Sequence, residues 1–415
     1  MSRSKVINCL DIGTSKITTL ICSPPTDGDK INVIAVATAP ALGFRKGQVV
    51  DLELATHSIT QSVESAERMA GFQISEVVVC LAAPHFESMN SRGVVAITQP
   101  QSEIKSADIQ RAIEASRAIA LPTGKEIIHS IPRFYIVDGQ EGVTDPIGMS
   151  SNRLEVESHL ILASTPGLKN INKCLDEVGL HPLSITFSGL TASDLVLTQT
   201  EKELGVVLVD IGGQITTINV FFEGSPIYTS VIPVGGTNVT NDLAIGLRLS
   251  IDEAEKIKTR LQIITEKQNF ADETSLEDFG ITGDSNRKIS IQTAINGIIK
   301  PRLEELFSLI ATELENSGLA GKTPAGMVIT GGGSQTIQTK ETATRLIPLP
   351  VRFSSPPPIG GLIEEVSQPG YTSTIGLAKY FLGQKITSST KRTPAKISFN
   401  GIFGRFKSLI EPFLP

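Results

Sequence analysis

One stretch of this chain occurs twice. Leu10-Asp11-Ile12-Gly13-Thr14-Ser15-Lys16-Ile17-Thr18-Thr19-Leu20 and Val209-Asp210-Ile211-Gly212-Gly213-Gln214-Ile215-Thr216-Thr217-Ile218 align once a single residue is deleted. Each copy is an apolar run, an aspartate, a turn of glycine and small polar residues, and a second apolar run, which is the pattern of a β-hairpin. Two copies almost 200 residues apart point to a chain built from related halves. Around the first copy, short apolar runs at 6–10, 17–22 and 31–38 read as consecutive strands. A helical period over 54–70 and a buried-strand run at 77–81 follow. The second unit spans 206–220. The fold class is therefore α/β and duplicated.

The repeated turns carry the chemistry. An aspartate at a strand end followed by glycine lets backbone N–H groups approach an anion closely. Two such turns facing each other would cradle a polyphosphate on Gly13, Thr14, Ser15, Lys16, Gly212, Gly213, Gln214 and Thr216. Asp11 and Asp210 would repel bare phosphate, so a magnesium ion held through its waters is implied between them. A third glycine turn, Val328-Ile329-Thr330-Gly331-Gly332-Gly333-Ser334, follows another apolar run and suits the flat face of a nucleoside. Glu255 and Lys258 fall at i and i+3 of a helical segment over 250–261 and so share the face that would reach ribose or adenine. The cofactor expected is ATP with Mg2+. A P-loop is excluded, because Gly321-Lys322-Thr323 has Asn316 where that motif needs glycine and no strand before it.

Composition removes other classes. A net charge of -6 over 415 residues gives no clustered basic surface for nucleic acid. Four scattered cysteines have neither metal nor disulfide spacing. The apolar run after the N-terminus is cut by Asp11 too early for a signal peptide, and no window reaches the about 20 apolar residues of a membrane span. The C-terminal end differs from the body. Residues 384–394 have linker composition, and in 395–415 Phe399, Ile402, Phe403, Phe406, Leu409, Ile410 and Phe413 recur at spacings of three and four. Residues from Lys385 onward carry a net +5, leaving -11 for the remainder. A basic amphipathic helix of this kind lies in an anionic lipid interface. Gly401, Gly404 and Pro412 weaken it in water, so it would fold on the membrane.

Three glycine turns in this order resemble the actin, Hsp70 and sugar-kinase superfamily. More finely, the chain resembles the FtsA family of bacterial cell-division proteins, with further matches at Thr200-Glu201-Lys202-Glu203-Leu204-Gly205-Val206, Val231-Ile232-Pro233-Val234-Gly235-Gly236, Thr240-Asn241-Asp242-Leu243-Ala244 and Lys300-Pro301-Arg302. The resemblance implies an actin-like duplicated fold with two lobes around a nucleotide cleft, and adds Gly235 and Gly236 to the site. It divides the chain into 1–83 plus 165–195, an inserted α+β subdomain at 84–164, a second lobe at 196–258 plus 325–383, and an upper subdomain at 259–324.

It also implies self-assembly into actin-like filaments, binding of the C-terminal tail of the tubulin-like protein FtsZ, and anchoring at the cytoplasmic face of the membrane at the division site. Later division proteins would dock on the inserted subdomain. Arg302, backed by Arg287 and Lys288, is the candidate for the FtsZ-tail contact. Two departures bear on catalysis by Asp210 and Gln214. Ser188 stands where hydrolytic relatives place a glutamate, and Gln214 stands where they commonly have glycine, where it would either crowd the γ-phosphate or orient a water. At most slow ATP hydrolysis is expected. The alternatives are a PilM-like pilus-assembly adaptor and a small-molecule kinase of the same superfamily.

Overall fold

The computed structural model describes residues 6–24, 31–97, 103–265, 272–282, 287–319, 321–360 and 364–389. Two sheets of five strands repeat one topology. The first runs His181–Phe187, Glu76–Leu81, Ile7–Ile12, Lys16–Ser23, Asn32–Pro40. The second runs Val351–Phe353, Met327–Thr330, Val206–Ile211, Thr216–Phe222, Ser225–Ile232. In both, an antiparallel three-stranded meander is extended by parallel strands on the side of its first member. The duplication read from the hairpins thus extends to whole sheets.

Their register corrects the alignment of the two hairpins. Asp11 pairs with Thr18 and Ile12 with Ile17, while Asp210 pairs with Thr217 and Ile211 with Thr216. The two turns therefore have equal length and no residue is deleted. Thr14 corresponds to Gly213, Ser15 to Gln214 and Lys16 to Ile215. Matching the letters Ile-Thr-Thr shifted one strand by a residue, and such a slip exchanges its two faces. Thr217, not Thr216, is the counterpart of Thr18.

Helices cover each sheet where the apolar periodicity requires. Leu52–Ala70 begins earlier than its stripe suggests because Asp51 caps it, accepting from the Leu54 N–H at 3.0 Å. Gly71 in the left-handed conformation ends it. Its buried face (Ala55, Ile59, Val63, Ala66) joins Leu10, Ile12, Val79 and Leu81 in one core. The equivalent core of the second sheet gathers Val207, Val209, Ile329, Leu306, Phe307 and Ile310. A third core, with Ile257, Leu261, Phe279, Ile291 and Leu303, holds the helices Gly236–Leu247 and Ile251–Thr265 beside the cleft.

Residues 87–164 form a separate antiparallel sheet, ordered Glu87–Ala96, Arg153–Ser164, Lys125–Val137, Gln140–Val143, with the helix Ser106–Arg117 packed on it. That helix is capped at Lys105, whose N–H donates to Asp108 at 2.9 Å. Two histidines are satisfied core groups. His159 is buried between Asn90 and Thr229, and His129 accepts from the Phe187 N–H. All four cysteines are free and buried.

The chain divides into units 1–380 and 381–415. The helix Thr372–Ser389 continues through 384–389, where linker composition suggested irregular backbone. No helix among the described residues is long and apolar enough to cross a membrane. The tail residues Phe399, Ile402, Phe403, Phe406, Leu409, Ile410 and Phe413 lie outside the described residues.

Candidate functional site

The two hairpin turns meet tip to tip. The Gln214 N–H donates to Thr14 Oγ1 at 2.9 Å, and a β-carbon on Gly213 would lie 2.8 Å from that of Ser15. Only glycine allows the second turn to close on the first. Behind it, a β-carbon on Gly235 would sit 2.6 Å from the Gly213 carbonyl, so that glycine also serves close packing of backbone on backbone. These contacts frame a cavity of about 780 Å³, within the range of small-molecule sites.

Of the residues expected to bind a cofactor, Asp11, Gly13, Thr14, Ser15, Lys16, Asp210, Gly212, Gly213, Gly236, Glu255, Lys258, Gly331, Gly332 and Gly333 line this cavity. Gly331 has φ +89°, and a β-carbon there would meet Asp210 Oδ1 at 2.1 Å. The third glycine turn is therefore folded directly against the aspartate of the second hairpin. Glu255 and Lys258 pair with each other at 2.6 Å and both reach Thr240, so the helix presents them as a joined polar wall.

Four expected residues do not line it. Gln214 turns outward: its Nε2 donates to the Thr14 carbonyl at 3.1 Å and its Oε1 accepts from the Lys46 N–H at 2.7 Å. It bridges the two hairpins, and its side chain does not line the cavity where it was expected either to crowd a phosphate or to orient a water. Thr216 is fully buried and donates to the Val234 carbonyl, on the face opposite Thr217. Gly235 stands behind the second turn, and Ser334 donates back to the Gly331 carbonyl at 2.6 Å. Ser334 borders a neighbouring cavity of about 620 Å³ that shares Gln262, Gln335, Thr336 and Pro369 with the first.

The aspartates sit at the floor. Thr374 Oγ1 donates to Asp11 Oδ2 at 2.6 Å and Ser373 Oγ to Asp210 Oδ2 at 2.9 Å. Burial raises the Asp11 carboxyl, opposed by hydrogen bonds from Thr374 and Cys80 and by the charge of Lys16. Asp210 is pushed up to about 6, by burial first and then by the charge of Asp11, against the Ser373 hydrogen bond. Lys16 Nζ stands 3.4 Å from the centre of the Tyr371 ring. Thr217, paired with Asp210 across the hairpin, lines the cavity, and its buried hydroxyl has no partner among the described residues. Two carboxylates facing bare glycine backbone, with an unsatisfied hydroxyl beside them, fit a water-clad hard cation and a polyphosphate.

The segment 368–374 escaped the sequence reading although Gln368, Pro369, Gly370 and Ser373 line the cavity. It has one glycine and no acidic residue, so only its place in the fold reveals it. Ser188 lines the cavity at the start of the helix Ser188–Val196.

Away from the cleft, Arg302 pairs with Asp242 through Nε and Nη2 and with Glu305 through Nη1. Arg287 donates to the Leu247 and Arg248 carbonyls at the end of a helix, and Lys288 is exposed. The three do not form one cluster of unengaged charge.

Comparisons with known proteins place these features in a family. Residues 83–162 match the family model described as the SHS2 domain inserted in FTSA, and residues 207–376 match that of cell division protein FtsA. The chain is 39% identical to cell division protein FtsA of Pseudomonas aeruginosa over 91% of its own length and 89% of the relative's. It is 36% identical to that of Bacillus subtilis, covering 92% and 84%. Among solved structures, the PilM-PilN type IV pilus biogenesis complex aligns with a TM-score of 0.62 at 17% identity, covering 91% of this chain and 98% of that one. MreB5 of Spiroplasma citri bound to ADP aligns at 0.53 and 14% identity, covering 94% and 99%. These likenesses show the actin-like fold. Identity above 30% across nine-tenths of the chain, the inserted domain and the duplicated sheets together mean that this chain belongs to the FtsA family of cell-division proteins.

Proposed function

We propose that this chain binds ATP with magnesium in the cleft, assembles with itself, and holds FtsZ filaments at the cytoplasmic face of the membrane at the division site. The observation that carries the nucleotide reading is the meeting of Asp11 and Asp210, one from each hairpin, beneath a cavity walled by glycine backbone. Lys16 and the turn N–H groups would face the phosphates, and Glu255 and Lys258 the ribose side. A bound magnesium would supply positive charge between phosphate and carboxylates. That the fold neighbour MreB5 is bound to ADP supports a nucleotide reading of this fold.

Hydrolysis in this reading is slow. Ser188 offers a hydroxyl, a poor general base at neutral pH, and the Gln214 carboxamide is held outside the cavity. Nucleotide would therefore act on conformation and assembly. The tail at 395–415 would supply membrane attachment by apolar burial and lipid charge together. Arg302 would receive an acidic FtsZ tail by exchanging Glu305, and the inserted sheet would serve later division proteins.

The test is co-sedimentation of the full-length chain with anionic liposomes and FtsZ filaments, with and without ATP. Joint pelleting of all three that is lost on replacing Phe403 and Phe406 with Glu is expected. Failure to join liposomes to FtsZ removes the anchoring reading.

A further inference from the structure

The helix Thr372–Ser389 opens on three hydroxyl residues, and each reaches a different strand end beneath the cleft. Thr374 donates to Asp11 of the first sheet and Ser373 to Asp210 of the second. Thr372 donates to the Pro369 carbonyl at 2.9 Å, so in its 2.7 Å pair with Thr330 it accepts. Thr330 is itself the neighbour of Asp210 in the parallel register. One residue earlier, the Tyr371 ring lies under Lys16. Further along, a β-carbon on Gly376 would fall 2.0 Å from the Thr191 carbonyl, so the helix is seated against Ser188–Val196 without slack. A single turn of backbone thus touches the acidic group of both hairpins.

A hydroxyl donated to one carboxylate oxygen restricts rotation of that carboxylate and leaves it further acceptor sites. Thr217 adds an independent sign of a ligand: the residue is 3% exposed and lines the cavity, and its hydroxyl has no partner among the described residues. Such a group is costly unless something polar reaches it.

We infer that Ser373 and Thr374 are positioning residues that aim Asp210 and Asp11 at a hydrated magnesium ion, whose water shell Thr217 also contacts. The inference rests on the reading of the cleft as a magnesium-nucleotide site. It makes the head of the helix Thr372–Ser389 a fourth element of that site, one that engages both aspartates.

The test is ADP affinity of the full-length protein, measured by calorimetry in magnesium and again in EDTA, with the melting temperature of each variant. Wild type is expected to bind ADP more tightly in magnesium. Replacing Ser373→Ala and Thr374→Val together should cut that enhancement by about tenfold, the scale of losing groups that orient a metal's ligands, with affinity in EDTA changed less than twofold. Ser373→Thr and Thr374→Ser, which keep the hydroxyls, should retain the enhancement. Thr217→Val should lower it as well while raising the melting temperature.

An equal loss of affinity in both media would mean that the hydroxyls act through packing alone, and would overturn the inference. So would a double variant that keeps the full enhancement, although the cleft reading would then stand. A wild-type protein that binds no ADP in either medium would remove both.

Discussion

The two hairpins of this protein have the same backbone and opposite equipment. At equivalent positions the first carries Thr14, Ser15 and Lys16, and the second Gly213, Gln214 and Ile215. The first brings a cation into the cavity. The second has no side chain at Gly213, so the first can close on it, and it spends its only long polar side chain on a strut to the Thr14 carbonyl and the Lys46 N–H. The aspartates share this asymmetry. Asp11 has Lys16 as a compensating charge, whereas Asp210 has a second carboxylate as its neighbour. Duplication conserved the geometry that shapes a cavity, and the two copies then divided the electrostatic work.

The strongest way to break that comparison is to neutralise each aspartate in magnesium-free protein. A carboxyl raised from 3.8 to about 6 costs at most about 3 kcal/mol of stability where it is ionised. Because the folded state holds that proton more tightly than the unfolded chain, the cost is full above pH 6, shrinks as the pH falls through 6, and is gone below 3.8. Asp210→Asn should therefore stabilise the protein in EDTA at pH 7.5 but little at pH 4.5, by thermal melting, and should gain more than Asp11→Asn. Equal gains at the two sites would show that Lys16 does not distinguish them.

Lys16→Ala should weaken ADP binding by about 10- to 100-fold, the worth of a charge-assisted bond to phosphate. An unchanged affinity would mean that the first hairpin's cation faces something else. Gln214→Ala tests the strut. It should lower stability by about 1–2 kcal/mol through two lost hydrogen bonds and leave nucleotide affinity within threefold. A change of tenfold or more in affinity or turnover would restore this side chain to the cavity.

The smallest and sharpest pair concerns register. Thr216→Val should cost about 1 kcal/mol by leaving the Val234 carbonyl without its donor, with no effect on ADP binding. Thr217→Val should stabilise the ligand-free protein by about 1 kcal/mol, because it removes an unsatisfied buried hydroxyl. The reverse pattern would reinstate the alignment with a deleted residue.

Much of this molecule is written locally. Repeated hairpins, the α/β alternation and three glycine turns follow from apolar period and turn chemistry, both of which act over a few residues. Asp11, Asp210 and the bare turns were readable because a carboxylate at a strand end followed by glycine has few other uses. The direction of a side chain is a different matter. Whether Thr216 or Thr217 faces the cavity depends on pairing with the neighbouring strand, and the letters Ile-Thr-Thr are compatible with either register. Gln214 has no local reason to turn outward; it does so because the Thr14 carbonyl and the Lys46 N–H, far away in the chain, offer it two hydrogen bonds.

The last case is the plainest. Gln368-Pro369-Gly370-Tyr371-Thr372-Ser373-Thr374 has no charge and no motif, yet it holds both aspartates and lies under Lys16. By itself the sequence determined that each repeated hairpin carries an aspartate followed by a glycine turn, because that pattern is local to a few residues. Only the tertiary structure decided what orients those aspartates, because that requires partners more than 150 residues distant to be brought within 3 Å.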